Sequence, residues 1–451
     1  MFLVITSSFG QLQWGKYDLN LNDGVTTIYT DTVNDLLYIG GRFSLVNGDT
    51  TPGITVYNGT SWDSIGSWFG VGSVFAIAVY HDTLFIGGYQ GSLGGLKMWD
   101  GTDWIAVGGT EVYGQVYDLE VINDELWVAG NFDSIGSVPA HGVARWDGTE
   151  WKTAYDLPGG LTGGNSPNWI VEVVEYKDEV YIGGNLNNEQ FSEIARWDGL
   201  QWKDVGGGIK RDGFSGISRM VEHDSDLFVM GSFLTEMGNV DQNIMRWNGQ
   251  EWLRCGGGTG GSVYDAIVHQ DNLWVTGSFN FAGGASSEGL AMWDGEQWCS
   301  PGNELRYLDS NQAWPAGIGV YRDTLVLGGG FTTIDGDSFS FLANWSGEGK
   351  FDTCGVLWPV GEEEALLEMT GEIRVYPNPV NDKLSIELPK ELEDMEVIIS
   401  IYAIDGRMMS QRSVKGNKGL IVLPTENLNY GVYLLNIFHD LQSESIRFVK
   451  Q

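Results

Sequence analysis

The sequence is short of positive charge. Of its 451 residues only 25 are Lys or Arg, against 60 Asp or Glu, a net charge of -35. A surface of that sign repels nucleic acid and anionic membrane, so neither is expected as a partner. Histidine is scarce, with 5 in the chain, which argues against a histidine-built metal centre. The three cysteines, Cys255, Cys299 and Cys354, do not make a disulfide framework, and none of their spacings resembles a zinc site. One bridge with a thiol left over and three free thiols both remain open. No apolar run is long enough to cross a bilayer. No G-x-S-x-G, H-E-x-x-H or phosphate-binding glycine loop is present. No catalytic residue, metal site or cofactor is therefore assigned, and an enzyme is the less expected outcome.

What is present in excess is glycine, 65 residues, and tryptophan, 19. The glycines follow no Gly-X-Y period, so they point to many turns between short strands. An aromatic-X-Gly tripeptide begins at Tyr57, Trp99, Trp146, Trp197, Trp247, Trp293 and Trp345, at intervals of 42, 47, 51, 50, 46 and 52. Five residues after the first six stand Trp62, Trp104, Trp151, Trp202, Trp252 and Trp298. Before each tripeptide an apolar run ends in glycine: Gly41, Gly88, Gly130, Gly184, Gly231, Gly277 and Gly329. Phe43, Phe132, Phe233, Phe279 and Phe331 follow two residues later. Each unit reads as four short strands, and seven such units predict an all-β, seven-bladed β-propeller with four-stranded blades over 11–355. The segment "QLQWGKYDL" reads as a lone fourth strand that closes the last blade. These columns resemble kelch-type repeats, which implies the fold and no particular activity.

The paired tryptophans admit two readings, a sugar-stacking platform or a tight turn. Asp147-Gly148 read as a two-residue type I′ turn pairs Ala144 with Trp151 and Arg145 with Glu150. A four-residue loop would also keep both rings on one face. Repetition in six of the seven units favours a structural role between blades. The first-to-second and third-to-fourth connections are tight, whereas the others are long and unequal, and variable loops on a regular scaffold are where binding resides. Two tryptophans outside the repeat columns, Trp169 and Trp314, fall at the start of the innermost strand on that loop face and are the candidate ligand-binding residues. His81, His223 and His269 fall at first hairpin turns and are expected to be solvated. "DGD" at Asp335 to Asp337 lacks the spacing of an EF-hand and reads as a polar loop.

The two ends read differently. "MFLVITSSFGQ" ends in small residues that fit a signal-peptidase site before Gln11, so 1–10 is expected to be the remnant of a signal peptide. Residues 356–371 carry three successive Glu and no repeat feature and read as a linker. Residues 372–451 hold 9 basic and 11 acidic residues, so nearly all the charge belongs to the repeat region. Their alternating strands suggest a small Ig-like β-sandwich. "VYPNPVNDKLSIEL", "IYAIDGRMM", "LNYGVYLLNI" and the terminal "RFVKQ" resemble the type IX (Por) secretion system C-terminal sorting domain, type A. The motif residues are Tyr376, Pro377, Asn378, Pro379, Asp405, Gly406, Arg407, Gly431, Tyr433 and Lys450. The resemblance implies the type IX machinery as a partner and a secreted or surface location in a Bacteroidetes-type bacterium. The expected function is a binding or adhesion protein whose loop face takes a glycan or a protein, with a secreted glycosidase or lyase as the alternative.

Overall fold

The structure is a computed structural model. It describes residues 14–450 except 68–71, 90–94, 155–168, 188–190, 211–215, 235–238, 302–303, 308–310, 346–353, 355–372, 389–395, 404–407, 416–418, 427, 429 and 440–441. The expected signal remnant (1–10), the linker (356–371) and Asp405, Gly406 and Arg407 lie outside the described residues. The chain divides into two compact units, with the boundary between Cys354 and Gly355. No described segment is an α-helix; one 3-10 turn covers Val107–Gly109.

Among the described residues the first unit contains seven successive four-stranded antiparallel sheets and one small accessory four-stranded sheet of Leu305–Tyr307, Asn311–Gln312, Thr333–Ile334 and Asp337–Ser338. The first strands of the seven are Val25–Asp31, Ser73–Tyr80, Gln115–Ile122, Ile170–Tyr176, Ile217–His223, Ser262–His269 and Trp314–Tyr321. We number these sheets 1 to 7 in that order. Each first strand packs on the next, and the seventh packs on the first. Sheet 7 takes its fourth strand from the N-terminus, Trp14–Gly15, where Trp14 pairs with Trp345. Closure is reinforced at the hairpin turns, where Arg322 holds Asp35 at 2.6 Å and the Tyr321 hydroxyl donates to the Asp35 carbonyl at 3.1 Å.

The core lies in the gaps between neighbouring sheets. One cluster joins Tyr80 and Phe85 of sheet 2 to Val116, Leu126, Val128 and Trp146 of sheet 3. The phenylalanines that follow the glycine column, Phe43, Phe132, Phe233, Phe279 and Phe331, are all buried. The paired tryptophans serve the same gaps. Trp146 and Trp151 have ring centroids 5.2 Å apart, and Trp247 and Trp252 the same. The second ring of each pair donates to the end of the preceding sheet: Trp104 to Ile65 at 2.9 Å, Trp202 to Ala154 at 3.2 Å, Trp252 to Val205 at 3.0 Å and Trp298 to Cys255 at 2.8 Å. An apolar ring with a satisfied N–H is worth on the order of 4 to 6 kcal/mol of transfer free energy at most.

The register corrects the turn assignment. Trp146 pairs with Trp151, Arg145 with Lys152 and Ala144 with Thr153, so the third-to-fourth loop has four residues. Only Gly148 takes a positive φ there, +92°. Asp147 turns inward instead, accepting from the backbone of Thr149 and Glu150 at 2.8 Å each. This side-chain-built turn replaces the expected type I′ geometry. The two-residue turns with both φ positive occur at the first hairpin, as in His81-Asp82 (47°, 57°) and Asn123-Asp124 (53°, 61°). His81 lies in such a turn, exposed, stacked on Tyr80 and 2.8 Å from Asp124. His223 is 5% exposed and packs on Phe228, contrary to the solvated role expected, because it is the last inward residue of its strand. Four second-to-third connections, unequal in sequence, share a hairpin at 45–50, 134–139, 281–286 and 333–338, the last extended by Leu305–Tyr307 and Asn311–Gln312 into a four-stranded sheet. The last is the "DGD" loop.

Cys299 and Cys354 form a disulfide, and Cys255 is a buried free thiol. The bridge ties the end of the first unit to sheet 6 across 55 residues.

The second unit has a three-stranded sheet, Arg374–Tyr376, Lys383–Glu387 and Leu420–Pro424, and a four-stranded sheet, Glu396–Ala403, Met408–Lys415, Gly431–His439 and Gln442–Lys450. Val380, Leu384, Ile386, Val397, Ile399, Leu435, Ile437 and Phe448 fill one core from both sheets.

Candidate functional site

Every first strand in the ring carries a β-bulge one or two residues past its start. The register jumps between Val25 and Thr27, Val74 and Ala76, Val116 and Asp118, Ile170 and Glu172, Ile217 and Arg219, Val263 and Asp265, and Pro315 and Gly317. A bulge bends a strand and re-aims its side chains. It also explains the glycine column. The column glycine of each second strand pairs with the residue just before the bulge, and a Cβ there would meet backbone: 1.9 Å from the Ser73 carbonyl oxygen at Gly88, 2.0 Å from that of Gly216 at Gly231.

The seven bulges face one another across a cavity of about 410 Å³. The bulged residues themselves, Thr26, Phe75, Tyr117, Val171, Ser218, Tyr264 and Ala316, all line it. The residues after them bring the charge: Asp118, Glu172, Arg219 and Asp265 from four consecutive sheets, with Glu120 two residues further along its strand. The lining comes from the N-terminal halves of the strands, the half towards the long connections.

The charges are organised around Arg219. Its Nη1 donates to Glu172 at 3.0 Å and its Nε lies 3.1 Å from Asp265. Asp118 accepts from Leu119 at 2.8 Å and from Val173 of the next sheet at 2.8 Å. Asp265 repeats the pattern with Ala266 at 2.8 Å and Ile318 of the next sheet at 3.0 Å. These two aspartates therefore fasten sheets together as well as charging the wall. Burial raises the pKa of Asp118, Glu172 and Asp265, and outweighs the opposing pull of Arg219. The guanidinium is held protonated by Glu172 first and the aspartates next. Glu120 is reached by water yet crowded by the walls. Desolvation, then Asp118, raise its pKa to about 7, and among the described residues it has no hydrogen-bond partner.

Trp169 and Trp314 occupy equivalent places, each just before the bulge: Trp314 pairs with Gly330, and Trp169 precedes Ile170, which pairs with Gly184. Neither lines the cavity. Trp169 is 43% exposed. The Trp314 ring crosses the backbone at Gly24 and Gly330, where added Cβ atoms would come within 2.6 and 1.9 Å of it, and the Arg42 guanidinium stacks on it at 4.3 Å. The sequence columns missed the charged wall, because it does not repeat. The signal available was the glycine column, since the residues facing it mark the bulge in every unit.

In the second unit the sorting-motif residues converge on the last strand. Asn378 accepts from the Val449 amide at 2.9 Å and donates to the Arg447 carbonyl at 3.1 Å, while the Val380 amide donates to the Val449 carbonyl at 2.7 Å. Asn378 lies between two prolines, Pro377 and Pro379, and Tyr376 ends the first strand of the smaller sheet. Gly431 pairs with Lys450, and Tyr433 pairs with and stacks on Phe448. Lys450 is buried with its ammonium 5.3 Å from the Tyr430 ring.

An all-β protein of four-stranded antiparallel sheets, ending in a unit whose motifs clasp its terminal strand, is the class these observations define. Residues 374–451 match the secretion system C-terminal sorting domain. The chain is accordingly a secreted or cell-surface protein of the Bacteroidetes, exported by the type IX machinery. No curated protein matches it. Among solved structures it is similar to a structural genomics protein of unknown function from Bacteroides thetaiotaomicron VPI-5482, at 12% identity and a TM-score of 0.36, covering 72% of this chain and 98% of that one. It is similar to YjhT at 12% identity and a TM-score of 0.34, covering 62% and 93%. A third is an alpha-L-arabinofuranosidase (CtGH43) from Clostridium thermocellum ATCC 27405, at 13% identity and a TM-score of 0.24, covering 55% and 96%. At these scores none carries a functional argument.

Proposed function

We propose that residues 11–355 are a seven-bladed β-propeller, joined through 356–371 to an Ig-like sorting domain at 372–451, and that the propeller is a secreted binding module whose ligand occupies the central cavity. The observation that carries this reading is the cavity wall, where seven bulges aim aromatic and charged side chains into one space. Structural needs alone do not call for Glu120 or Tyr264 there, since both face water and neither fastens a sheet. Trp169 stands at the rim as an exposed ring for the outer part of a ligand. Trp314, crossed by backbone and capped by Arg42, carries more of the structural load.

A second reading, a polysaccharide-acting enzyme, is favoured by one fact. Glu120, with a pKa of about 7, has the acidity of a general acid and stands beside ionisable carboxylates.

The test is a thermal-shift screen of glycans and small molecules on the whole chain, with chromogenic glycosides assayed in parallel. Ala316→Phe puts into the cavity the residue type that sheet 2 already carries at the same bulge position, Phe75. It should abolish ligand binding without lowering the melting temperature. Trp169→Ala should weaken binding by roughly 1 to 3 kcal/mol. Binding that survives Ala316→Phe overturns the cavity reading, and glycoside turnover lost in Glu120→Gln replaces it with the enzyme. Deleting 372–451 should leave the protein in the periplasm of a host with the secretion system, read by cell fractionation.

A further inference from the structure

We propose that the cavity selects an organic ammonium ion, the charged end of an alkyl amine, with Glu120 as its counter-ion. The inference rests on the cavity being the binding site and adds the chemistry of what it takes.

The wall carries four carboxylates and a single guanidinium. Three of the carboxylates are committed. Asp118 holds two backbone amides, Asp265 holds two more and faces Arg219, and Glu172 takes the Arg219 hydrogen bond. Glu120 is the one left over. It faces the cavity, water reaches it, and no described residue donates to it. The same wall carries aromatic rings, Tyr29, Phe75, Tyr117 and Tyr264. Phe75 and Tyr117 stack with centroids 6.0 Å apart. An uncommitted carboxylate among aromatic faces is a combination that attracts an organic cation twice, through its charge and through the ring quadrupoles.

The competing ligands fit less well. A calcium ion needs about six to eight converging oxygens, and the aspartates here are already spent on backbone amides. The space of about 410 Å³ is also far larger than a bare ion requires. A neutral sugar would fill the space and leave the excess negative charge uncompensated. An ammonium group on a short carbon chain neutralises that charge and lays its methylenes against the rings.

The charge balance makes binding depend on pH. Glu120 is faced by Asp118 on its own strand, by Tyr29, by Glu172 and Glu175 of sheet 4, and by Arg219, with Asp265 beyond it. The surrounding carboxylates and the walls keep it partly protonated near pH 7. An arriving ammonium favours the ionised form, so binding releases a proton and strengthens as pH rises through that range.

The experiment is calorimetric titration of the full chain with cadaverine, a five-carbon diamine, and with the diol of the same length. The diamine should bind and the diol should bind at least about tenfold more weakly. Affinity for the diamine should rise about tenfold between about pH 6 and about pH 8. In Glu120→Gln the affinity should fall at least about tenfold and the pH dependence should vanish. Equal affinity for diol and diamine overturns the proposal on the wild type alone, whatever the variant does. Calcium binding with no amine binding overturns it in favour of a metal site. A neutral ligand that binds and is lost in Ala316→Phe but not in Glu120→Gln refutes the ammonium while leaving the cavity as the site. If Ala316→Phe blocks nothing that binds, both readings fail.

Discussion

The tryptophan pairs towards the outside of the sheets and the bulges at their centre are built on opposite rules. The pairs repeat. Trp99 and Trp104, Trp146 and Trp151, Trp197 and Trp202, Trp247 and Trp252, and Trp293 and Trp298 sit at centroid distances between 5.2 and 5.7 Å. The bulges repeat in backbone and differ in side chain: Thr, Phe, Tyr, Val, Ser, Tyr and Ala at one position, Thr, Ala, Asp, Glu, Arg, Asp and Gly at the next. A gap between sheets poses the same packing problem seven times and receives the same answer. A cavity poses one problem that seven strands share, so each supplies a different part. Repetition marks scaffold here, and its failure at a repeated backbone feature marks the candidate site.

Substitutions on the two sides should separate accordingly. The largest loss is expected on the outside. Trp202, 4% exposed and bonded to Ala154, should cost about 3 to 5 kcal/mol on replacement by alanine, read from denaturant unfolding. Trp151 is less buried, with a longer 3.3 Å bond to Val107, and should cost less. Equal and small losses would return the pairs to an exposed platform. Next, Cys354→Ser should cost about 2 to 4 kcal/mol, the usual range for a bridge, and wild-type protein under reductant should match it. A reductant-insensitive wild type would mean that the bridge is not formed in solution.

Gly206 and Gly199 give a smaller, internally controlled effect. Both have positive φ, +59° and +91°, but a Cβ at Gly206 would lie 2.4 Å from Trp247, whereas none of its neighbours comes within 4 Å at Gly199. Alanine at Gly199 should cost roughly 1 kcal/mol of backbone strain. Gly206→Ala should cost roughly 1 to 3 kcal/mol more, because the next sheet's ring must move. Equal losses would show that the tryptophan yields freely.

The smallest effect belongs to the inner wall, with the opposite sign. The folded pKa of Glu120, about 7, lies above its ordinary value, so the folded state binds the proton more tightly than the unfolded one. Its contribution to stability is therefore most favourable at low pH and is lost as pH rises through about 7. Glu120→Gln removes that loss. The melting temperature should rise by roughly one to a few degrees at about pH 8 and hardly change at about pH 4, a modest figure because water screens the side chain. A shift that does not depend on pH would show that Glu120 is not held in a costly site.

The aromatic-X-Gly and Gly-x-Phe columns made the four-stranded sheets legible, since periodic burial needs periodic residues. The tail motifs made the sorting domain legible because its contacts are local to one small unit, with Asn378 and Val380 reaching only to its terminal strand. The Asp-Gly turn misled, because its sequence suits both a two-residue and a four-residue loop. The choice falls to Asp147, which caps Thr149 and Glu150.

By itself, then, the sequence determined an all-β chain of repeated sheets with a secretion unit behind it, and the disposition of charge between the two. Local periodicity and turn chemistry suffice for that. Only the tertiary structure decided which cysteines join, that Trp314 is covered while Trp169 is open, and that Asp118, Glu120, Glu172, Arg219 and Asp265 meet. Those residues come from four strands, with Asp118 and Asp265 147 positions apart in the chain. Nothing local links them. They meet because the seventh first strand packs on the first and because every first strand carries its bulge at the same place in the register, facing one cavity.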